Sequence, residues 1–196
     1  MVSFVICPLS FSAQRANAQF NTDRLVMIGR SALYYEDYVL SIQYFNQAIS
    51  AKPYLFEPWY YRGVAKYYLD DYQGAEMDCT EAIQRNPFVV GVYELRGLCR
   101  IQQKHYAEAV SDYNAALRYE PENMNLWHNR ALCRIQQKDY EQALAELDSM
   151  AGRWSRHARI YAMQAEVYLL QTNTVKAIAS LDKSLELDAY NGNVWA

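Results

Sequence analysis

The sequence predicts an all-α fold of stacked helical hairpins, and two observations carry that prediction. Leu98-Cys99-Arg100-Ile101-Gln102-Gln103-Lys104 recurs unchanged as Leu132-Cys133-Arg134-Ile135-Gln136-Gln137-Lys138, 34 residues later. At the same step, Pro53, Pro87 and Pro121 fall into one column, continued by Ser155 and Ala189. A period of this length marks an array of small units that bury their apolar faces against one another, and its product is a long surface rather than an enclosed pocket.

Residues 1–18 stand outside the period. Val2 to Phe11 is apolar, and Ala16-Asn17-Ala18 has the small-x-small form of a signal-peptidase site, which would start the mature chain at Gln19. The segment is read either as a secretory signal peptide or as an apolar leader that stays disordered. The first reading places the protein in the bacterial periplasm or envelope, the second in the cytoplasm. No run reaches the ~18 apolar residues that span a bilayer, so a transmembrane protein is not expected.

Five units follow, 22–55, 56–89, 90–123, 124–157 and 158–191. In the second, Trp59, Gly63 and Tyr67 share one helical face at i, i+4 and i+8. Asp70 and Asp71 then favour a turn. Ala75, Cys79, Ala82 and Ile83 restart the helical pattern, which stops at Asn86-Pro87 because proline cannot continue a helix. Small residues recur where two helices must cross closely: Gly29, Gly63, Gly97, Ala131 and Ala165 in one column, Ser41, Ala75, Ala109, Ala143 and Ala177 in another. Trp59, Tyr93, Trp127 and Tyr161 form an aromatic column, continued by Trp195. Gly192 to Ala196 therefore reads as the start of a sixth, truncated unit. The fourth unit departs from the pattern, with Met150 at a small position, Gly152 weakening the second helix, and Arg153-Trp154-Ser155-Arg156-His157 at its end.

A large aromatic residue, then three small positions, then proline, in a 34-residue unit, resembles the tetratricopeptide repeat (TPR) family. The resemblance spans residues 22–189. It implies a TPR-type α-solenoid, antiparallel hairpins in a right-handed superhelix, whose first helices line a concave face. It also implies that the second, fifth, ninth, twelfth and thirteenth positions of each unit point inward. On that mapping the expected partner contacts are Tyr34, Tyr60, Tyr67, Glu94, Ile101, His128 and Ile135. Their aromatic and aliphatic character suits a helix or extended peptide with apolar anchors. Arg153, Trp154 and Arg156 are a secondary candidate, a protruding cation–aromatic site; the alternative is that Trp154 fills a gap beside a shortened helix. The family's carboxylate clamp for chaperone tails needs Lys, Asn and Arg on successive first helices. The corresponding places hold Val26, Arg30, Tyr61, Gly91 and Leu95, so that clamp is not expected, and Arg30 reads as a solvated charge.

Composition narrows the function further. Lys and Arg number 19 against 22 acids, a net charge of −3 with no basic stripe, so nucleic acid is not an expected partner. The three histidines occupy different places in their units, and no zinc-like cysteine spacing, phosphate loop or nucleophile elbow is present. No cofactor and no catalysis are expected. Of the four cysteines, Cys99 and Cys133 are equivalent positions of successive units, roughly 10 Å apart and past the ~7 Å reach of a disulfide. Unpaired thiols of odd number after loss of Cys7 sit uneasily with an oxidising compartment. The leading reading is a non-catalytic protein–protein interaction scaffold. The alternatives are a structural or regulatory arm of a larger protein, and self-association through an uncapped end.

Overall fold

A computed structural model describes the backbone of residues 8–192 and the side chains of residues 21–188. Residues 1–7 of the expected leader and 193–196 of the expected sixth unit lie outside the described residues. Ten helices and no strand occur among the described residues: α1 Pro8–Tyr34, α2 Tyr38–Ala51, α3 Phe56–Tyr68, α4 Tyr72–Arg85, α5 Val90–Gln102, α6 Tyr106–Leu117, α7 Met124–Gln136, α8 Tyr140–Arg153, α9 Ala158–Leu170 and α10 Thr174–Gly192. The fold is all-helical, as the period predicts. The chain gathers into two compact units, 1–99 and 100–196.

One turn closes every hairpin. Glu36, Asp70, Lys104, Lys138 and Thr172, 34 residues apart, have φ of 61°, 60°, 63°, 62° and 59°. In each case that residue's N–H bonds three residues back, and the following N–H bonds five back, as in Asp70 to Tyr67 and Asp71 to Lys66. This is the Schellman ending of a helix, built here without glycine. The next residue caps the second helix. Asp37, Asp71, Asp139 and Asn173 accept from the backbone N–H of Leu40, Gly74, Gln142 and Lys176. His105, in the same column, makes no side-chain cap.

The aromatic and proline columns are joined by a hydrogen bond. Trp59 Nε1 donates to the Pro53 carbonyl at 3.1 Å, and Trp127 Nε1 to that of Pro121 at 2.7 Å. The Tyr93 and Tyr161 hydroxyls donate to the carbonyls of Pro87 and Ser155, each at 3.0 Å. A column that alternates Trp and Tyr thus keeps one apolar body and one donor, and it ties each first helix to the loop before it.

In the first unit, the small columns act as expected. A Cβ on Gly29 would come within 2.7 Å of the Phe45 ring, and one on Gly63 would meet the Ala75 carbonyl oxygen at 3.3 Å. Ala75, Cys79, Ala82, Val92, Leu95 and Cys99 form its core between α4 and α5. In the second unit, Ala131, Ile135, Ala143, Leu147, Met150, Ile160, Met163 and Val167 form the core of α7 to α9.

One expectation needs correction. Helix α8 is not shortened: it runs 14 residues to Arg153, as long as α2 and α4, and a Cβ on Gly152 would touch nothing within 4 Å. Helix α10 is 19 residues long and continues to Gly192. Ala189 stands there in the proline column, so nothing stops the helix where the other units turn.

Candidate functional site

The first-helix face of the first unit carries two adjoining hollows. One, of about 670 Å³, lies between α1 and α3 and is lined by Asp23, Val26, Met27, Arg30, Leu33, Tyr34, Tyr61, Val64 and Tyr68 among others. The second, of about 190 Å³, lies between α3 and α5 and is lined by Tyr60, Val64, Tyr67, Tyr68, Gly91, Glu94, Leu95 and Leu98. Val64 and Tyr68 belong to both, so the two form one groove across three first helices.

Tyrosine dominates this groove for a reason visible in its packing. Tyr68 stacks on Tyr38 with centroids 5.2 Å apart and planes 10° apart, and meets Tyr67 edge-on at 5.9 Å. Tyr67 in turn meets Tyr72 edge-on at 5.5 Å. The chain of rings fixes Tyr68 while leaving it 60% exposed. Tyr34 stands 82% exposed, set edge-on against Tyr35. Tyr60 is half-buried; burial is the main cause that raises its phenol pKa, with Tyr61, Cys79, Glu94 and Tyr68 adding to it. It stays a neutral donor and acceptor at physiological pH. Gly91 leaves room for its hydroxyl, since a Cβ there would lie 3.0 Å from that oxygen. Arg30, expected to be a free surface charge, lies over the Tyr61 ring with its guanidinium carbon 4.9 Å from the centroid.

Of the expected contacts, Tyr34, Tyr60, Tyr67 and Glu94 line the groove. Ile101 is half-buried near the end of α5 and lines neither hollow. His128 lines a separate hollow in the second unit. Ile135 is 3% exposed in the α7–α9 core, against Leu147 and Met150, and presents no surface to a partner. Tyr61, Met27 and Ser31 also line the groove and were not among the expected contacts.

Of the secondary candidate, Trp154 is taken up by packing. Trp154 sits edge-on to Trp127 at 6.3 Å and covers the second unit's core. Arg153 lies over Trp127 at 5.1 Å and pairs with Glu122 at 2.7 Å. Two repeats earlier, Arg85 lies over Trp59 at 4.5 Å in the same way. Arg153 and Arg156 are both exposed.

Sequence reasoning missed an internal charge network. Arg62 and Lys66 on α3 hold Asp78 of α4, at 2.6 and 2.9 Å. One unit on, Arg100 holds Asp112 at 2.8 Å; in the next, Arg130 and Arg134 hold Glu146 at 2.7 and 2.6 Å. Arg62 and Arg130 each reach a second hairpin through Asn46 and Asn114. The three carboxylates are 2%, 2% and 4% exposed. Burial pushes the Glu146 carboxyl up, and the Arg130 and Arg134 guanidiniums pull it back. The signal was available as the 34-spaced columns Arg62, Arg96, Arg130 and Asp78, Asp112, Glu146.

Hairpins at a fixed 34-residue step define a helical repeat protein. Two tetratricopeptide repeat profiles match the sequence, over residues 60–118 and 100–167, together more than half of the chain. The chain belongs to the tetratricopeptide repeat family. Solved structures share its fold. A crystal structure of MamA protein superposes with a TM-score of 0.82 at 13% identity, over 88% of this chain and 94% of that one. MamA 41-end from Desulfovibrio magneticus RS-1 gives 0.80 at 15%, over 87% and 96%. YrrB, a TPR protein with an unusual peptide-binding site, gives 0.78 at 12%, over 90% and 91%. No curated protein matches the sequence.

Proposed function

We propose that this protein is a non-catalytic scaffold whose first-helix face holds an extended peptide or a helix from a protein partner. The observation that carries the reading is the continuous groove that shares Val64 and Tyr68 between its two hollows. Exposed rings held by other rings give contact area with little ordering cost on binding, and tyrosine hydroxyls serve a peptide backbone. The fold neighbour YrrB, with its peptide-binding site, supports the same reading. Secretion by the leader, with action in the bacterial envelope, accompanies it as a second proposal; cell fractionation of the tagged full chain tests that part.

The test is site-specific photo-crosslinking in cells. A benzophenone amino acid at Tyr34 or Tyr68 is expected to give discrete polypeptide adducts that Tyr60→Glu removes. The same probe at Tyr54, exposed between α2 and α3, is expected to give none. Equal adducts at all three positions would remove the groove from consideration.

A second reading has its own observation. Val175, Ile178, Leu181 and Leu185 lie 81%, 53%, 40% and 64% exposed along one side of α10. Such a stripe is what a further hairpin or a second copy of the chain covers in a repeat stack. Light scattering over a concentration series, with Ile178→Lys/Leu185→Lys beside the native protein, separates self-association from partner binding.

A further inference from the structure

The second unit holds a small hollow of about 30 Å³ at the start of α7 and α9, lined by Met124, Asn125, His128, Met150, His157, Arg159 and Ile160. That space is large enough to admit a water-sized group such as a carboxylate oxygen. Three of its lining side chains are cationic or can become so: Arg159 and His157 from α9 and its cap, His128 from α7. The remaining lining is apolar or amide, from α7, α8 and α9. None of it is acidic.

This concentration of basic groups is peculiar to one place in the array. At the second position of each unit stand Asp23, Glu57, Gly91, Asn125 and Arg159, and at the fifth Val26, Tyr60, Glu94, His128 and Ala162. Basic groups at these positions occur only where the fourth and fifth units meet. Arginines on the other first helices of this unit are spent internally, Arg130 and Arg134 on Glu146. Arg159 instead bears on His128, and together with burial it lowers that imidazole's pKa. The cap residue His157 makes no side-chain bond to α9's first turn, so its imidazole is not committed to capping that helix.

We propose that this hollow is a subsite for a carboxylate of the bound partner, with Arg159 as the fixed charge and His128 and His157 as donors. A metal ion is the wrong occupant, because Arg159 repels it. Burial and then Arg159 lower the His128 pKa, and an anion between Arg159 and His128 offsets the part due to Arg159, so binding takes up a proton and tightens as pH falls. The subsite rests on the reading of the first-helix face as the partner surface, but a small probe reads it alone. Failure here is thus distinct from failure of the tyrosine groove.

The experiment follows the histidine Cε1–H resonances of the full chain by NMR during titration with N-acetylglycine, which presents a chain-terminal carboxylate, and with the α-amide of N-acetylglutamate, which presents a side-chain one. Saturable shifts of His128 and His157, an upward move of the His128 titration midpoint, and a still His105 resonance are expected. Arg159→Gln, at an exposed position, is expected to weaken the effect at least tenfold with an unchanged circular dichroism spectrum. Whichever probe saturates at lower concentration names the kind of carboxylate. Absence of saturable shifts to 200 mM (on the order of the weakest useful affinity), equal shifts at His105, or shifts that persist in Arg159→Gln overturn the proposal.

Discussion

Arg62 grips Asp78 through two parallel hydrogen bonds, Nε to Oδ2 at 2.8 Å and Nη2 to Oδ1 at 2.6 Å, inside the α3–α4 hairpin. The carboxylate side chain is 3% exposed, and Lys66 completes its shell at 2.9 Å. Removing it strands two cations in a partly dry place, a loss that typically costs about 3–5 kcal/mol. Asp78→Ala is therefore expected to lower the urea midpoint sharply, while Glu186→Ala, on an exposed pair with Lys183, leaves it unchanged. Equal midpoints for the two variants would mean that the hairpin does not depend on this network.

Ser41 is the odd member of a column otherwise filled by Ala75, Ala109, Ala143 and Ala177. Its hydroxyl is fully buried and has no hydrogen-bond partner among the described residues. Burying a hydroxyl without a partner costs about 1–3 kcal/mol. Ser41→Ala is expected to raise stability by roughly 1 kcal/mol, the lower end of that range. A loss of stability would show that the hydroxyl is satisfied by water entering between α1 and α2.

The parts of this fold that were legible in the sequence are those where sterics admit few residue types. Gly63 faces the Ala75 carbonyl across a helix crossing, and Trp59 needs both a ring and a donor to reach Pro53, so both columns persist in recognisable form. The charge network was not legible because its members change type and run out: Arg130 gives way to Gln164, and Glu146 to Ser180. A lone arginine on a helix is also usually solvated, so only the matched carboxylate column could have exposed the pairing. The site was half legible. The inward positions named four residues that line the candidate groove, Tyr34, Tyr60, Tyr67 and Glu94. They misplaced Ile135, because the twelfth position of α7 turns into the core that Leu147 and Met150 build.

His105 breaks the capping pattern of its column. Asp37, Asp71, Asp139 and Asn173 each accept a backbone N–H at the start of the second helix, and His105 does not. A good N-cap is worth about 1 kcal/mol. His105→Asp is expected to stabilise the chain by that amount, about 1 kcal/mol, seen as a higher urea midpoint with an unchanged slope. A slope that also changes would indicate altered compactness rather than a better cap.

His128 makes stability depend on pH in a defined direction. Burial, then Arg159, lowers its pKa below the ordinary 6.5. Between the folded value and 6.5 the unfolded chain binds the extra proton, so stability is lost as pH falls through that window and levels off below it. Replacing His128 by Gln removes this component. The difference between native and His128→Gln stabilities, measured from pH 8 to about 5, is expected to slope in that window only. A flat difference would mean that His128 is as well solvated in the native state as in the unfolded one.

Cys133 bears on the compartment question. Burial is the main cause that pushes its thiol up to about 12, with the Glu146 carboxylate adding to it. Cys79 and Cys99 are likewise buried. The thiolate is the reactive species, so a thiol held as high as that of Cys133 is slow to oxidise while the fold holds. A buried thiol behaves as a small hydrophobe, so the odd number of cysteines left after loss of Cys7 weighs less against an oxidising compartment. In a Cys7→Ser chain, labelling by a soluble disulfide reagent at pH 8 is expected to proceed only at the rate of opening, and all three thiols to react at once in urea. Fast labelling of one thiol in the native protein would identify a locally open hairpin and restore the objection to export.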